Sequence, residues 1–355
     1  MTEVARFHIE YTQFVAPDGS PVAELPAFVA EPDALERLYR AMLLTRTFDA
    51  RAVALQRTGR LGTFASSLGQ EAVGVGVADA MRPEDVLLPS FREQAAQLVR
   101  GVTLQELLLY WGGDERGSDF AGPRQDFPVS ITVGGHAPHA AGVALAFSLR
   151  GEARVAVCVF GDGATSKGDV YEAMNMAGVR NLPVVFVVSN NQWAISLPRA
   201  AQTHAQTLAQ KAIAAGFTGE QVDGNDVIAV RAVVERAIES ARRGEGPRLI
   251  EALTYRLADH TTVDDASRYR DTAEVTGHWA EDPLARLRTL LVTERGWNRD
   301  REEAAIHEAD AAVEAAVAQY LATPAQQAET MFDYVYETVP PDLAAQRGRL
   351  GERHR

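Results

Sequence analysis

Apolar residues along this chain follow two rhythms. The first has helical spacing. In "ALERLYRAMLLTRTFDARAVALQRTG" (34–59) leucine, methionine and aromatic residues recur every three or four positions, which predicts a long amphipathic helix with Asp33 as its cap and Gly59 as its stop. Shorter patterns of the same kind lie at 69–81, 91–101 and 103–113. The second rhythm is continuous: "RVAVCVF" (154–160), "LPVVFVVSN" (182–190) and "PRLIEALTYR" (247–256). Helical patterns stand between or beside these runs, at "PHAAGVALAFSLRG" (138–151), from about Asp169, at "QTLAQKAIAAG" (206–216) and at "VIAVRAVVERAIESARRG" (227–244). Unbroken apolar strands separated by helices indicate an α/β fold, a parallel sheet with helices on both faces.

The flanks differ. Residues 1–32, proline-rich toward "PDGSPVAELPAFVAEPD", read as an N-terminal arm, and 114–128 as a loop. From about His278 the pattern is helical and charged, with a long helix over 298–322. The simplest organisation is the arm followed by a single α/β domain over 33–355 that ends in a helical extension.

Composition narrows the function classes. The formal net charge of −13 over 355 residues argues against a nucleic-acid partner, which needs a basic footprint. No apolar stretch is long enough to span a bilayer, and the N-terminus has no signal-peptide pattern, so a cytoplasmic protein is expected. The single cysteine, Cys158, sits inside an apolar run and reads as core filling.

The chemistry concentrates in "VFGDGATSKGDVYEAMNMAGVRNLPVVFVVSNNQWAI" (159–195). Ligands of parallel α/β sheets collect beyond the carboxyl ends of the strands. Gly161-Asp162-Gly163 ends one strand and Asn190-Asn191 another, so a carboxylate and a neutral amide oxygen converge, a donor set suited to Mg²⁺ with positions left for phosphate oxygens. The glycines let backbone N–H groups approach a phosphate, and Ala164, Thr165 and Ser166 read as the start of a helix whose free amides attract an anion. The spacing fits neither a dinucleotide fingerprint nor a Walker loop. A tight turn and a strand-end turn remain the bland alternative.

This segment resembles the signature of thiamin diphosphate enzymes. With "GQEA" (69–72), "QVDGNDVIAV" (221–230), "HTTVDDASRYR" (260–270) and "DPLARLRTLL" (282–291), the chain is similar to the alpha subunits of 2-oxo acid dehydrogenase complexes, pyruvate dehydrogenases above all. The resemblance implies that Asp162, Asn191 and the Trp193 carbonyl bind Mg²⁺, that Gly163 and Ala164 give amides to the diphosphate, and that Arg92 contacts it. His260 would reach the cofactor from a loop and serve in catalysis. Ile131, Val133 and Ile195 would meet the aminopyrimidine, although branched aliphatics at these places equally suit a core. Phe91 stands where relatives often carry tyrosine, Lys167 where an acid or glutamine is usual, and Thr261 where mitochondrial relatives carry a phosphorylated serine.

The resemblance further implies an α₂β₂ heterotetramer, with a beta subunit supplying the glutamate that activates the cofactor. A 2-oxo acid is the substrate, and the acyl group passes to the lipoyl domain of a dihydrolipoamide acyltransferase. Thr63 and Phe64 fall near the expected acyl pocket. Pyruvate is the favoured substrate, a branched-chain 2-oxo acid the alternative, and a non-catalytic scaffold that binds a beta partner the reading from another class.

Overall fold

The computed structural model describes residues 1–333 and 335–353, so Tyr334 and the last two residues of the expected domain lie outside the described residues. Its centre is a six-stranded sheet in the order β1-β7-β8-β4-β3-β2, every pair parallel. The strands are β1 (Tyr11–Thr12), β2 (Val86–Leu88), β3 (Ala156–Gly161), β4 (Val184–Asn190), β7 (Thr218–Asp223) and β8 (Arg248–Leu253). Between them β5 (Trp193–Ala194) and β6 (Leu197–Pro198) form a small antiparallel ribbon.

The continuous apolar runs have a direct explanation in packing. Successive strand side chains point to opposite faces. Ala156, Cys158 and Phe160 of β3, with Val184, Phe186 and Val188 of β4, pack beneath the helices Ala137–Arg150 and Gly168–Arg180. Val157 and Val159, with Val185 and Val187, pack beneath Glu71–Asp79 and Val227–Arg242. Both faces are therefore dry, and Cys158 is fully buried core, as expected.

The long helix Ala34–Arg57 lies outside this layer and packs against Pro283–Arg295 and Arg299–Ala322. Asp33 occupies its N-cap position but makes no side-chain cap bond. The N-terminal arm is not free of the body. Tyr11–Thr12 extends the sheet beside β7, and the Phe14 and Val15 amides donate to Asp226 at 2.8 and 2.7 Å.

Four elements differ from the sequence pattern. The helix expected over 206–216 shrinks to Lys211–Ala214, because the Leu208 and Ala209 amides donate instead to the buried Glu251 carboxylate at 2.7 and 2.9 Å. β2 is only three residues long, and β7, "TGEQVD", is mostly polar, so neither carries a strong strand pattern. The segment after Gly161 is not yet α-helix: Asp162–Ser166 is a 3₁₀ turn, and the helix begins at Gly168. None of the described helices is long and apolar enough to cross a membrane.

Candidate active site

Strands β3 and β4 run side by side with Gly161 in register with Ser189. Their carboxyl ends therefore deliver Asp162 and Asn191 to one place, and both line a cavity of about 200 Å³. The doubled asparagine resolves into two jobs, since neighbours on a strand face opposite ways. Asn190 turns away and donates to Glu251 at 2.7 Å. Asn191 faces the cavity: its Nδ2 donates to Gln70 Oε1 at 3.0 Å, and its Oδ1 accepts the Trp193 amide at 3.2 Å.

Asp162 is 1% exposed. Its carboxylate accepts a side-chain bond from Gln202 Nε2 at 3.2 Å, and it forms no ion pair among the described residues. Burial pushes its pKa up to about 6, with the Gln202 amide and the charge of Arg256 pulling the other way. A buried carboxylate without a counter-charge is costly, and a hard divalent cation supplies one.

Across the cavity the imbalance has the opposite sign. Arg92 spends its guanidinium on neutral acceptors: Nη1 donates to the Ser66 carbonyl at 2.6 Å, and Nη2 to the His260 carbonyl at 2.5 Å and to His260 Nδ1 at 2.9 Å. Arg256, fully buried, donates to the Ile195 carbonyl at 2.8 Å and the Tyr269 hydroxyl at 2.9 Å. Neither pairs with a carboxylate among the described residues. Burial and then the charge of Arg256 press the Arg92 pKa down to about 10. The Arg92 guanidinium without an anion and the Asp162 carboxylate without a cation, both on the wall of one cavity, fit one Mg²⁺–diphosphate group, which neutralises both.

Backbone shape agrees. A Cβ on Gly163 would meet Ala194 Cβ at 2.9 Å, so the turn and the β5–β6 ribbon approach as closely as only glycine permits. Ile195 holds φ of 56°, an outlier for a β-branched residue; the Arg256 bond to its carbonyl fixes that conformation.

His260 has a determined tautomer. A guanidinium only donates, so the Nδ1 that faces Arg92 must be the acceptor and Nε2 carries the hydrogen. Burial, then the charges of Arg92 and Arg256, push its pKa down to about 4. The fold thus favours the neutral ring, and the stability this group contributes is lost as pH falls from the ordinary histidine value toward 4. In ¹⁵N spectra of the cofactor-free protein, His260 is expected to remain the neutral Nε2–H form from pH 8 to 5. A midpoint near 6.5 would contradict the Arg92 contact. Its loop is already fastened: Asp264 accepts from the His260 amide at 2.8 Å and from the Tyr269 hydroxyl, and Arg270 holds the carbonyls of Arg256 and Ala258.

The structure brings Arg92, Val133, Asp162, Gly163, Ala164, Asn191, Trp193, Ile195 and His260 to the cavity wall. Ile131 is not on that wall; it is 58% exposed, and Val133 and Ile195 are 43% and 56% exposed. None of the three is core. The Trp193 carbonyl faces Arg256 Nη1 at 3.5 Å. Phe64 is fully buried, edge-on to Phe48 and Trp111, and neither it nor Thr63 lines the cavity. The Phe64 backbone nevertheless bonds the His260 loop, its amide donating to Thr262 Oγ1 at 3.0 Å and its carbonyl accepting the Thr262 amide at 2.9 Å. Lys167 turns to its own helix and pairs with Asp169 at 2.9 Å.

Sequence reasoning missed Gln70, Glu93, Gln202 and Arg256. Gln70 and Arg256 stood inside quoted segments without a role. Glu93, whose carboxyl burial raises to about 7, also lines the cavity.

The profile of the dehydrogenase E1 component family matches residues 39–329. A Mycobacterium tuberculosis protein named 3-methyl-2-oxobutanoate dehydrogenase subunit alpha is 42% identical over 344 residues, 96% of this chain and 94% of that one. A Staphylococcus aureus protein named pyruvate dehydrogenase E1 component subunit alpha is 39% identical over 338 residues, 95% and 91% of the two chains.

Proposed function

Because the chain belongs to the dehydrogenase E1 component family, we propose that it acts on pyruvate, in the cytoplasm, as the alpha subunit of the enzyme that decarboxylates this acid and passes the acetyl group to the lipoyl domain of a dihydrolipoamide acyltransferase. That it is the alpha subunit of a thiamin diphosphate- and Mg²⁺-dependent 2-oxo acid dehydrogenase, working with a beta subunit, follows from the family. The observation that carries the reading is one cavity lined by both Asp162, which has no ion pair, and Arg92, which has no carboxylate partner, among the described residues, with the buried Arg256 bonded to the Ile195 carbonyl of its wall. A retired scaffold has no need to keep buried charges uncompensated.

When bound, thiamin diphosphate supplies the carbon nucleophile and electron sink that 2-oxo acid decarboxylation requires. This chain's residues hold and orient. Asp162, Asn191 Oδ1 and the Trp193 carbonyl grip the cation; the Gly163 and Ala164 amides and Arg92 take the diphosphate. Val133 and Ile195 give the ring an apolar wall. The neutral His260, whose Nδ1 is taken by Arg92, would have its Nε2–H left as the donor for negative charge that develops in acyl transfer.

The second substrate reading, 3-methyl-2-oxobutanoate, is favoured by the 42% identity to the mycobacterial subunit. Each methylene discriminates by only about 1–3 kcal/mol, so the assay must be direct. CO₂ release by the α–β assembly is measured with each acid and an artificial electron acceptor. A kcat/KM at least tenfold higher for pyruvate is expected; the reverse order would assign the branched-chain activity.

A further inference from the structure

The quoted segment "GQEA" lies outside the metal and diphosphate ligands, yet the fold spends several contacts on fixing it. Gly69 has φ of 87°, and a Cβ there would meet Leu257 and the Tyr255 carbonyl at 2.9 Å. Its amide donates to Glu71 Oε2 at 3.0 Å, and its carbonyl accepts from Thr254 Oγ1 at 2.8 Å. Glu71, fully buried, is anchored by Arg46 at 2.6 Å. What this clamp holds in place is Gln70, which is 5% exposed and lines the cavity.

Gln70 Oε1 accepts from Asn191 Nδ2 at 3.0 Å and from Ser189 Oγ at 3.4 Å, while its Nε2 is buried without a hydrogen-bond partner. An amide has two unlike ends. A carbonyl oxygen can accept only from the NH₂ end of Asn191, so this contact forbids the flip that would turn NH₂ donors on the cation. The Trp193 amide, donating to Asn191 Oδ1, agrees on the same orientation. We propose that Gln70 is a positioning residue: it sets the side-chain amide of Asn191 so that Oδ1 faces the metal, and its spare Nε2–H donates to an acceptor on the bound thiamin diphosphate. The inference rests on the cofactor reading given above. Neighbours that orient a metal ligand typically contribute ten- to a hundredfold to metal affinity.

The test uses the α–β assembly, with Mn²⁺ as the metal probe followed by electron paramagnetic resonance at saturating thiamin diphosphate, and thiamin diphosphate titrated by calorimetry at saturating Mn²⁺. Gln70→Met removes both amide functions in a similar volume and is expected to weaken Mn²⁺ by about ten- to a hundredfold. Gln70→Glu keeps the acceptor and loses the donor; it should hold Mn²⁺ within about threefold while thiamin diphosphate weakens at least tenfold. Native Mn²⁺ affinity in Gln70→Met would overturn the orienting role, and native thiamin diphosphate affinity in Gln70→Glu would overturn the donor role. Should Gln70→Met fail to assemble, the isosteric Gln70→Glu decides alone: only the split between its two affinities supports the proposal. Asn191→Ala separates the two levels. If it keeps native Mn²⁺ binding, the metal site itself is misassigned; if it loses binding while Gln70→Met does not, only the Gln70 inference falls.

Discussion

Asp162→Asn in the α–β assembly is expected to weaken Mg²⁺-dependent binding of thiamin diphosphate by about a thousandfold, roughly 4 kcal/mol, with the assembly still folded. The substitution keeps the volume and removes the charge that a hard cation requires. The direction of its effect on the cofactor-free fold is a second check. Burial raises the Asp162 pKa to about 6, so the stabilising protonated form is fully present below the ordinary carboxylate value and is lost as pH rises through about 6. Asp162→Asn therefore leaves the empty protein at least as thermostable as the native one at pH 7, while abolishing the increase in melting temperature that Mg²⁺ and cofactor produce. Retained tight binding would show that the cation sits elsewhere.

The second large effect concerns the isolated chain, which is expected neither to bind thiamin diphosphate measurably nor to release CO₂ from a 2-oxo acid. The cavity holds about 200 Å³, below the roughly 300–1,000 Å³ of pockets that enclose small-molecule ligands. Ile131, Val133 and Ile195 remain largely exposed, and exposed apolar groups beside a site mark a surface that another molecule covers. In the proposed site this chain would contribute the metal and diphosphate half and leave the ring half open. Mixing with the beta subunit should restore binding and turnover together, read by calorimetry and by CO₂ release on the same samples. Full activity of the chain alone would refute the shared site.

How much of this was legible in sequence depended on the range of the interaction. The β3 and β4 runs announced themselves because both faces of each strand are buried, and Asp162 and Asn191 were found because each sits where such a run ends. Short or polar strands such as β2 and β7 gave little pattern, and the 206–216 helix failed because a carboxylate far along the chain, Glu251, captures its amides. The partners that set the electrostatics, Gln70 to Asn191 and Arg256 to Ile195, are separated by 121 and 61 positions. No local periodicity encodes such pairings; they exist only once parallel strands and their loops are brought to one edge. Phe64 shows two ranges at once: its ring is held in the core by Phe48 and Trp111 while its backbone bonds Thr262 of the His260 loop, 198 positions away.

The most direct measurement is the anomalous diffraction of Mn²⁺ in crystals of the α–β assembly grown with thiamin diphosphate. The account predicts one peak per alpha subunit, within about 2.3 Å of both an Asp162 carboxylate oxygen and Asn191 Oδ1, with diphosphate oxygens completing the coordination. A bound cofactor whose Mn²⁺ peak touches neither side chain would contradict it.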